Sequence, residues 1–311
     1  MATEIPTQKS SRDEFLMRGL KSSRSAVRSL FKDAVWVTRN LPAEKRTELD
    51  SLGSHLVRCL DMLDLESTEG LPLDVWKEIR DELSDAFCGK WETPEHAALA
   101  HVVEKYQVPK QFIFDMVNGA DYWIRFRGFE TWEQLDTFAS NLGGSAMAAA
   151  AKIMGVVKPG FEVPALNCGK AIFLTQRLAS CVVDLKSNRN FLAGEDLDRF
   201  KLEIHRVKMR QECPQLNHFV RFTVSRLEKI FVEAGKLVEH LDYGGARSVT
   251  SLLCMHWRML TRLRMDPACL YDHDGVLTRR DLRGLRSRHL LGIEGGIPII
   301  STDNGHHQQP C

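Results

Sequence analysis

Apolar residues recur at helical spacing along nearly all of this chain. Leu52, Leu56, Leu60 and Leu63 follow one another three and four residues apart, the interval that lines side chains up on one face of an α-helix. Leu73, Trp76, Ile79, Leu83 and Phe87 repeat it in the next segment. The same reading predicts long helices over about 163–186, 215–241 and 246–263. Thr131 with Gln134 has the spacing of a capping pair at a helix start. Pro72, Pro94, Pro109, Pro164 and Pro214 fall where first turns or connections tolerate them. The alternation of β-branched residues that strands require is scarce, and no fixed-period repeat appears. The pattern predicts one all-α domain of about ten helices over residues 13–291, built around a single core. Residues 1–12 read as a flexible leader and 292–311 as a mostly disordered tail.

Composition narrows the function classes. A chain of 311 residues, 43% hydrophobic and 27% charged, is long enough to bury a substantial core. Its net charge of +1 gives no broad pull toward nucleic acid. The eight cysteines are scattered without a CxxC pair, as expected of reduced thiols in a cytoplasmic protein. No apolar run approaches the roughly 20 residues of a membrane-spanning helix. Residues 15–32 can form an amphipathic helix, with Leu16, Leu20, Val27, Leu30 and Phe31 near one face and Arg18, Lys21, Arg24 and Arg28 mostly elsewhere. Such a helix either docks on the domain or lies peripherally on an anionic membrane.

Nucleotide-binding and hydrolase signatures (GxGxxG, GxxxxGK[ST], HExxH, GxSxG) are absent. Asp272-His273-Asp274-Gly275 has the look of a calcium loop but lacks an oxygen ligand at its first position, Leu270, and reads as a turn. Two acidic places remain. Asp61 and Asp64 close a long amphipathic helix, three residues apart and so on one face. Asp184 ends the apolar helix over about 163–186, ahead of a basic turn with Lys186 and Arg189.

Several phrases, in order, resemble the squalene/phytoene synthase family. Leu41-Pro42 with Lys45-Arg46 is similar to the family's LPxxKR. VEKYQVPKQFIFDMVNGADYWI (103–124) resembles YxIPxxxFxxLIDGMxxDL, and FETWEQLDTFASNLGGSAM (129–147) resembles YxTWEELxxYCYxVAGSVG. LTQRLASCVVDLKSNRNFLAGEDLDRF (174–200) resembles LTNILRDVxEDxxRGRxYLPxEDLxRF, and GVLTRRDLRGL (275–285) resembles VxLSxxRKLxL. The resemblance implies an isoprenoid-synthase-like helical bundle around a central apolar cavity. It also implies a prenyltransferase that joins prenyl diphosphates head to head with Mg²⁺, in terpenoid biosynthesis. In such a site hard Mg²⁺ neutralises the diphosphate leaving group, and an apolar, aromatic lining shields the carbocation.

Carried over residue by residue, the resemblance makes Asp61, Asp64 and Asp184 the metal ligands, and Arg46, Gln176, Lys186 and Arg189 the substrate-binding residues. The implied partner is a prenyl diphosphate or another isoprenoid lipid. No sequence signal marks a nicotinamide site for NADPH. The chain departs from the family where the metal belongs. The leading acid of DDxxD is Leu60, and two acids of DxxED are Ser180 and Val183, with Ala179 in place of the preceding arginine. The Asp of LIDG is Asn118, the later Asp of that phrase is Trp123, and the tyrosines of YCY are Phe138 and Ser140. Glu195 and Asp196 match the closing phrase, where helix capping is an alternative to catalysis. Three of six motif acids remain. Two functions stay open: a divergent condensing enzyme, or a catalytically inactive relative that serves as a lipid-binding or assembly module.

Overall fold

A computed structural model describes residues 8–30, 35–64, 75–126, 128–211, 213–272 and 275–291. In chain order the α-helices among them are α1 (Gln8–Leu30), α2 (Ala43–Asp61), α3 (Val75–Phe87), α4 (Pro94–Lys105), α5 (Lys110–Phe126), α6 (Trp132–Ala139) and α7 (Ser145–Met154). They continue with α8 (Glu162–Lys186), α9 (Gly194–Phe200), α10 (Ile204–Lys208), α11 (Pro214–Gly235), α12 (Tyr243–Met265) and α13 (Arg279–Leu291). Among the described residues β-structure is limited to two isolated bridges, Phe129 with Ala193 and Val156 with Leu241. The all-α expectation therefore holds. The expected tail 292–311, residues 1–7 of the expected leader, Leu73 and part of the turn at 272–275 lie outside the described residues.

α8 is the spine of the bundle. It packs against α11, α7, α12, α10 and α6, so it is apolar on several sides rather than along one stripe. Its first half carries small residues, Ala165, Cys168, Gly169 and Ala171, all buried. They let the segment Ser140–Gly144 come close. There the backbone widens into a π-helical turn between α6 and α7. A Cβ on Gly143 would stand 2.6 Å from the Gly169 carbonyl oxygen, and a Cβ on Gly169 would run into the Gly143 carbonyl. The two helices cross backbone to backbone at this pair. The widened turn (Ser140–Gly144) is where the chain makes that approach.

Local chemistry fixes the ends. Thr131 and Gln134 form the predicted capping box on α6. Glu195 adds a second cap there, its Oε1 accepting from the Trp132 amide at 2.9 Å. Lys45 donates to the Met154 carbonyl at 2.8 Å and to Asp242 Oδ2 at 3.0 Å, which ties the start of α2 to the end of α7 and the start of α12. The helix expected over 215–241 stops earlier. α11 ends at Gly235 and tightens into a 3₁₀ segment, Lys236–His240. α1 packs against α2 and α4, with Gly19 and Ser23 buried, so this first helix is docked on the domain.

Two predictions follow from the core. Ala at position 169 meets backbone that cannot move aside, so Gly169→Ala destabilises by about 1–3 kcal/mol through overpacking, read as a lower urea midpoint with unchanged slope. The imidazoles of His55 and His256 are pushed down to about 4 by burial. The unfolded chain takes up those protons near pH 6.5 and the folded chain only near 4, so stability is full above pH 6.5 and is lost as pH falls through that window. The loss approaches roughly 3 kcal/mol per histidine. His55→Gln should flatten the urea-midpoint profile between pH 6.5 and 4, and an unchanged profile would assign the acid sensitivity elsewhere.

Candidate functional site

Asp184 sits in the last turn of α8 with about 2% of its surface exposed. A buried carboxylate requires compensation, and three side chains supply it. Arg177 donates through Nη1 to both carboxylate oxygens at 3.3 Å. Arg189, from the turn after the helix, donates through Nη2 to Oδ1 at 3.2 Å. Ser180 donates through Oγ to Oδ2 at 2.6 Å. Arg177 precedes Asp184 by two helical turns and Ser180 by about one, so all three lie on one face of α8. The Arg189 amide also donates to the Asp184 carbonyl at 2.9 Å, folding the basic turn back over the helix end.

The Arg177 guanidinium lies over two rings, 5.7 Å from the centroid of Phe173 and 5.3 Å from that of Phe191, at cation–π distance. Phe191 stacks on Trp123, with centroids 4.3 Å apart and planes 22° from parallel. Phe138 packs among Phe129, Phe173 and Phe191. Trp123 Nε1 donates to the Leu63 carbonyl at 3.3 Å. Leu63 belongs to the turn Met62–Asp64 that follows α2. A continuous path of contacts thus joins the acidic end of α2 to the acid of α8: Leu63, Trp123, Phe191, Arg177, Asp184.

The predicted residues fare unequally. Asp184 and Arg189 are brought together, but as partners of each other. Asp61 closes α2 and is exposed, while the side chain of Asp64 lies outside the described residues. Gln176 is half-buried on α8 and Lys186 is exposed at its end. Arg46 is half-buried, and its charge, with those of Arg24 and Arg28, opposes the burial that raises the Asp50 carboxyl. Asn118 accepts from Arg80 Nη2 at 2.5 Å and donates to Asp115 at 3.4 Å. Asp196 is buried and bonded to Arg226 at 2.5 Å. Val183, in place of a motif acid, points to solvent with 61% of its surface exposed.

The donor set on α8 does not suit a magnesium ion. Both oxygens of its one carboxylate already accept from guanidinium or hydroxyl groups, and a second cation there meets two fixed positive charges. Among the described residues no three His, Cys, Asp or Glu side chains are grouped to hold a metal. What the arrangement offers is the converse: two guanidinium groups against one carboxylate, a surplus positive charge at an aromatic wall, with the Arg177 Nε buried and lacking a hydrogen-bond partner. Guanidinium groups of this kind have the donor geometry for an anion. Arg177 was missed in the sequence, although a charged residue on the inward face of an apolar helix, seven before an acid, was the available signal.

The comparisons with known proteins agree with this fold. The family model described as squalene/phytoene synthase matches residues 30–281. The phytoene synthase of Mycobacterium tuberculosis is 24% identical over 270 residues, covering 85% of this chain and 86% of that protein. That of Synechocystis is 21% identical over 196 residues, covering 59% and 57%. A crystal structure of a dehydrosqualene synthase superposes with a TM-score of 0.78 at 19% identity, over 91% of this chain and 99% of that one. A squalene synthase of Alicyclobacillus acidocaldarius gives 0.73 at 18% identity, over 83% and 96%.

The charge balance of the α8 site is open to a direct test. Asp184→Asn leaves two half-buried guanidinium groups without their counter-charge and should cost about 1–3 kcal/mol in urea unfolding, whereas exposed Asp61→Asn should change stability by less than about 0.5 kcal/mol. An Asp184→Asn protein as stable as its parent would show that the arginines do not depend on that carboxylate.

Proposed function

The chain belongs to the squalene/phytoene synthase family, a family of prenyl transferases, and from that membership we propose that it binds a prenyl diphosphate through arginine rather than through a metal cluster on α8. The observation that carries this reading is the saturation of Asp184 by Arg177, Arg189 and Ser180. A forked guanidinium matches a phosphate oxygen pair, and the surplus charge beside Phe173 and Phe191 supports an anionic head held next to an apolar wall.

The same observation supports the non-catalytic alternative over head-to-head condensation. Ionising an allylic diphosphate needs concentrated positive charge on the leaving group and ring faces free to stabilise the carbocation. Here the faces of Phe173 and Phe191 are already engaged by Arg177. The protein's function in this reading is to hold an isoprenoid diphosphate as a binding or assembly module. The second reading, a divergent prenyltransferase using Mg²⁺, rests on the sequence pair Asp61 and Asp64 at the end of α2, which is enough for one ion held jointly with substrate phosphate. Peripheral contact with a membrane, where such lipids reside, belongs to either reading. Among the described residues no helix is long and apolar enough to cross one.

Calorimetric titration of the full chain with farnesyl and geranylgeranyl diphosphate separates the two. The arginine reading predicts binding that persists in EDTA, falls at least about tenfold in Arg177→Gln, consistent with loss of one charge-assisted contact, and releases no pyrophosphate with Mg²⁺. Pyrophosphate release that requires Mg²⁺ and disappears in Asp61→Asn would establish the transferase instead.

A further inference from the structure

The outer face of α13 carries an unmatched row of positive charge. Arg279, Arg283 and Arg286 stand at successive helical intervals with Leu290, on one stripe of the helix. All four are exposed, Leu290 to 56%. A stripe about a quarter-turn round the helix holds it on the protein. Leu282 and Leu285 pack against the Trp36, Val37 and Met255 cluster, and His289 meets Trp36 edge to face at 5.0 Å.

The neighbouring helix carries its arginines differently. On α12, Arg258 pairs with Asp281 at 2.7 Å, and Arg262 with Asp272 at 2.7 Å. Arg264 pairs with Glu228 at 2.7 Å. α13 has a single acid, Asp281, and Arg258 uses it. Among the described residues Arg279, Arg280, Arg283, Arg286 and Arg288 have no ion pair. A chain whose net charge is only +1 therefore concentrates unneutralised cations on one 13-residue helix.

We infer that α13 docks on an anionic phospholipid bilayer through this stripe, with Arg279, Arg283 and Arg286 over the headgroups and Leu290 in the interfacial layer. The exposed leucine in line with the arginines favours lipid over nucleic acid, because an interfacial helix places an apolar side chain among its basic ones. The near-zero net charge points the same way, since nucleic-acid binding draws on a wider positive field. The inference does not depend on the prenyl diphosphate reading: the surface is separate from Asp184, and its test involves no isoprenoid.

The test is co-sedimentation of the full chain with vesicles of phosphatidylcholine alone and of phosphatidylcholine mixed with phosphatidylglycerol, at physiological salt. Binding is expected to the anionic vesicles only, and to weaken as salt rises. Each arginine near such a surface strengthens binding by about fivefold, so Arg279→Gln, Arg283→Gln and Arg286→Gln together should weaken it by roughly a hundredfold. Thermal unfolding should be nearly unchanged, since among the described residues these side chains make no ion pair or hydrogen bond. Arg264→Gln, which removes a paired arginine, should bind like the parent. Equal binding to neutral vesicles, no binding to anionic ones, a triple variant that binds like the parent, or tighter binding to a duplex oligonucleotide than to anionic vesicles would each overturn the assignment.

Discussion

A carboxylate withdrawn from water has to be neutralised where it stands, and in this bundle that requirement falls on Asp184. It draws Arg177 onto the inward face of α8 and folds the Arg189 turn back over the helix end. Arg177 in turn needs surroundings that tolerate a half-buried cation, and the rings of Phe173 and Phe191 provide them. Phe191 is held by Trp123, and Trp123 by the carbonyl of Leu63 at the end of α2. One charge in the interior thereby organises contacts between segments more than a hundred residues apart in sequence.

The same requirement explains why the exchanged acids belong together. A site that holds a divalent ion concentrates negative charge, and each acid is tolerable only because the metal offsets it. Placing a guanidinium on that face reverses the balance, so further acids are no longer needed to hold a cation. Ser180 keeps the one useful property of an oxygen side chain there, a hydrogen bond to Asp184. Val183 faces solvent, on a side of α8 that Asp184 does not share. Asn118, bonded to Arg80, shows the same trend on α5, where a neutral amide satisfies an arginine without adding charge. These substitutions read as one coordinated change in electrostatics rather than as independent losses.

Much of the scaffold was legible from local patterns. Helical spacing located α8, α12 and the start of α11 to within a few residues, and the Thr131–Gln134 spacing identified the cap of α6, because each is set by contacts within a turn or two of the chain. The family phrases carried the fold itself. The features that escaped are those decided by distant partners. The stop at Gly235 comes inside an unbroken helical pattern, and the π-helical turn at Ser140–Gly144 answers the approach of Gly169. The pairing of Arg189 with Asp184 was hidden as well, because it depends on how the turn after α8 folds back. Arg177 was the most recoverable omission: seven residues before Asp184, it shares a helix face with it, and an arginine on an otherwise apolar face demands a counter-charge.

Positive charge works in two different ways in this molecule, and the difference is dielectric. Arg177 acts at contact distance among rings and a carboxylate, where water is scarce and salt has little access, so its effect is specific to a group of fitting shape. The arginines of α13 act through solvent, where a charge is screened within about 8 Å at physiological salt. No one of them holds a partner firmly, and their effect depends on number and alignment. A lipid with an anionic head and an apolar body presents both kinds of target: a collective one while it lies in a charged sheet, and an individual one once its head has left that sheet. The sparing use of acids around both places keeps each of them positive.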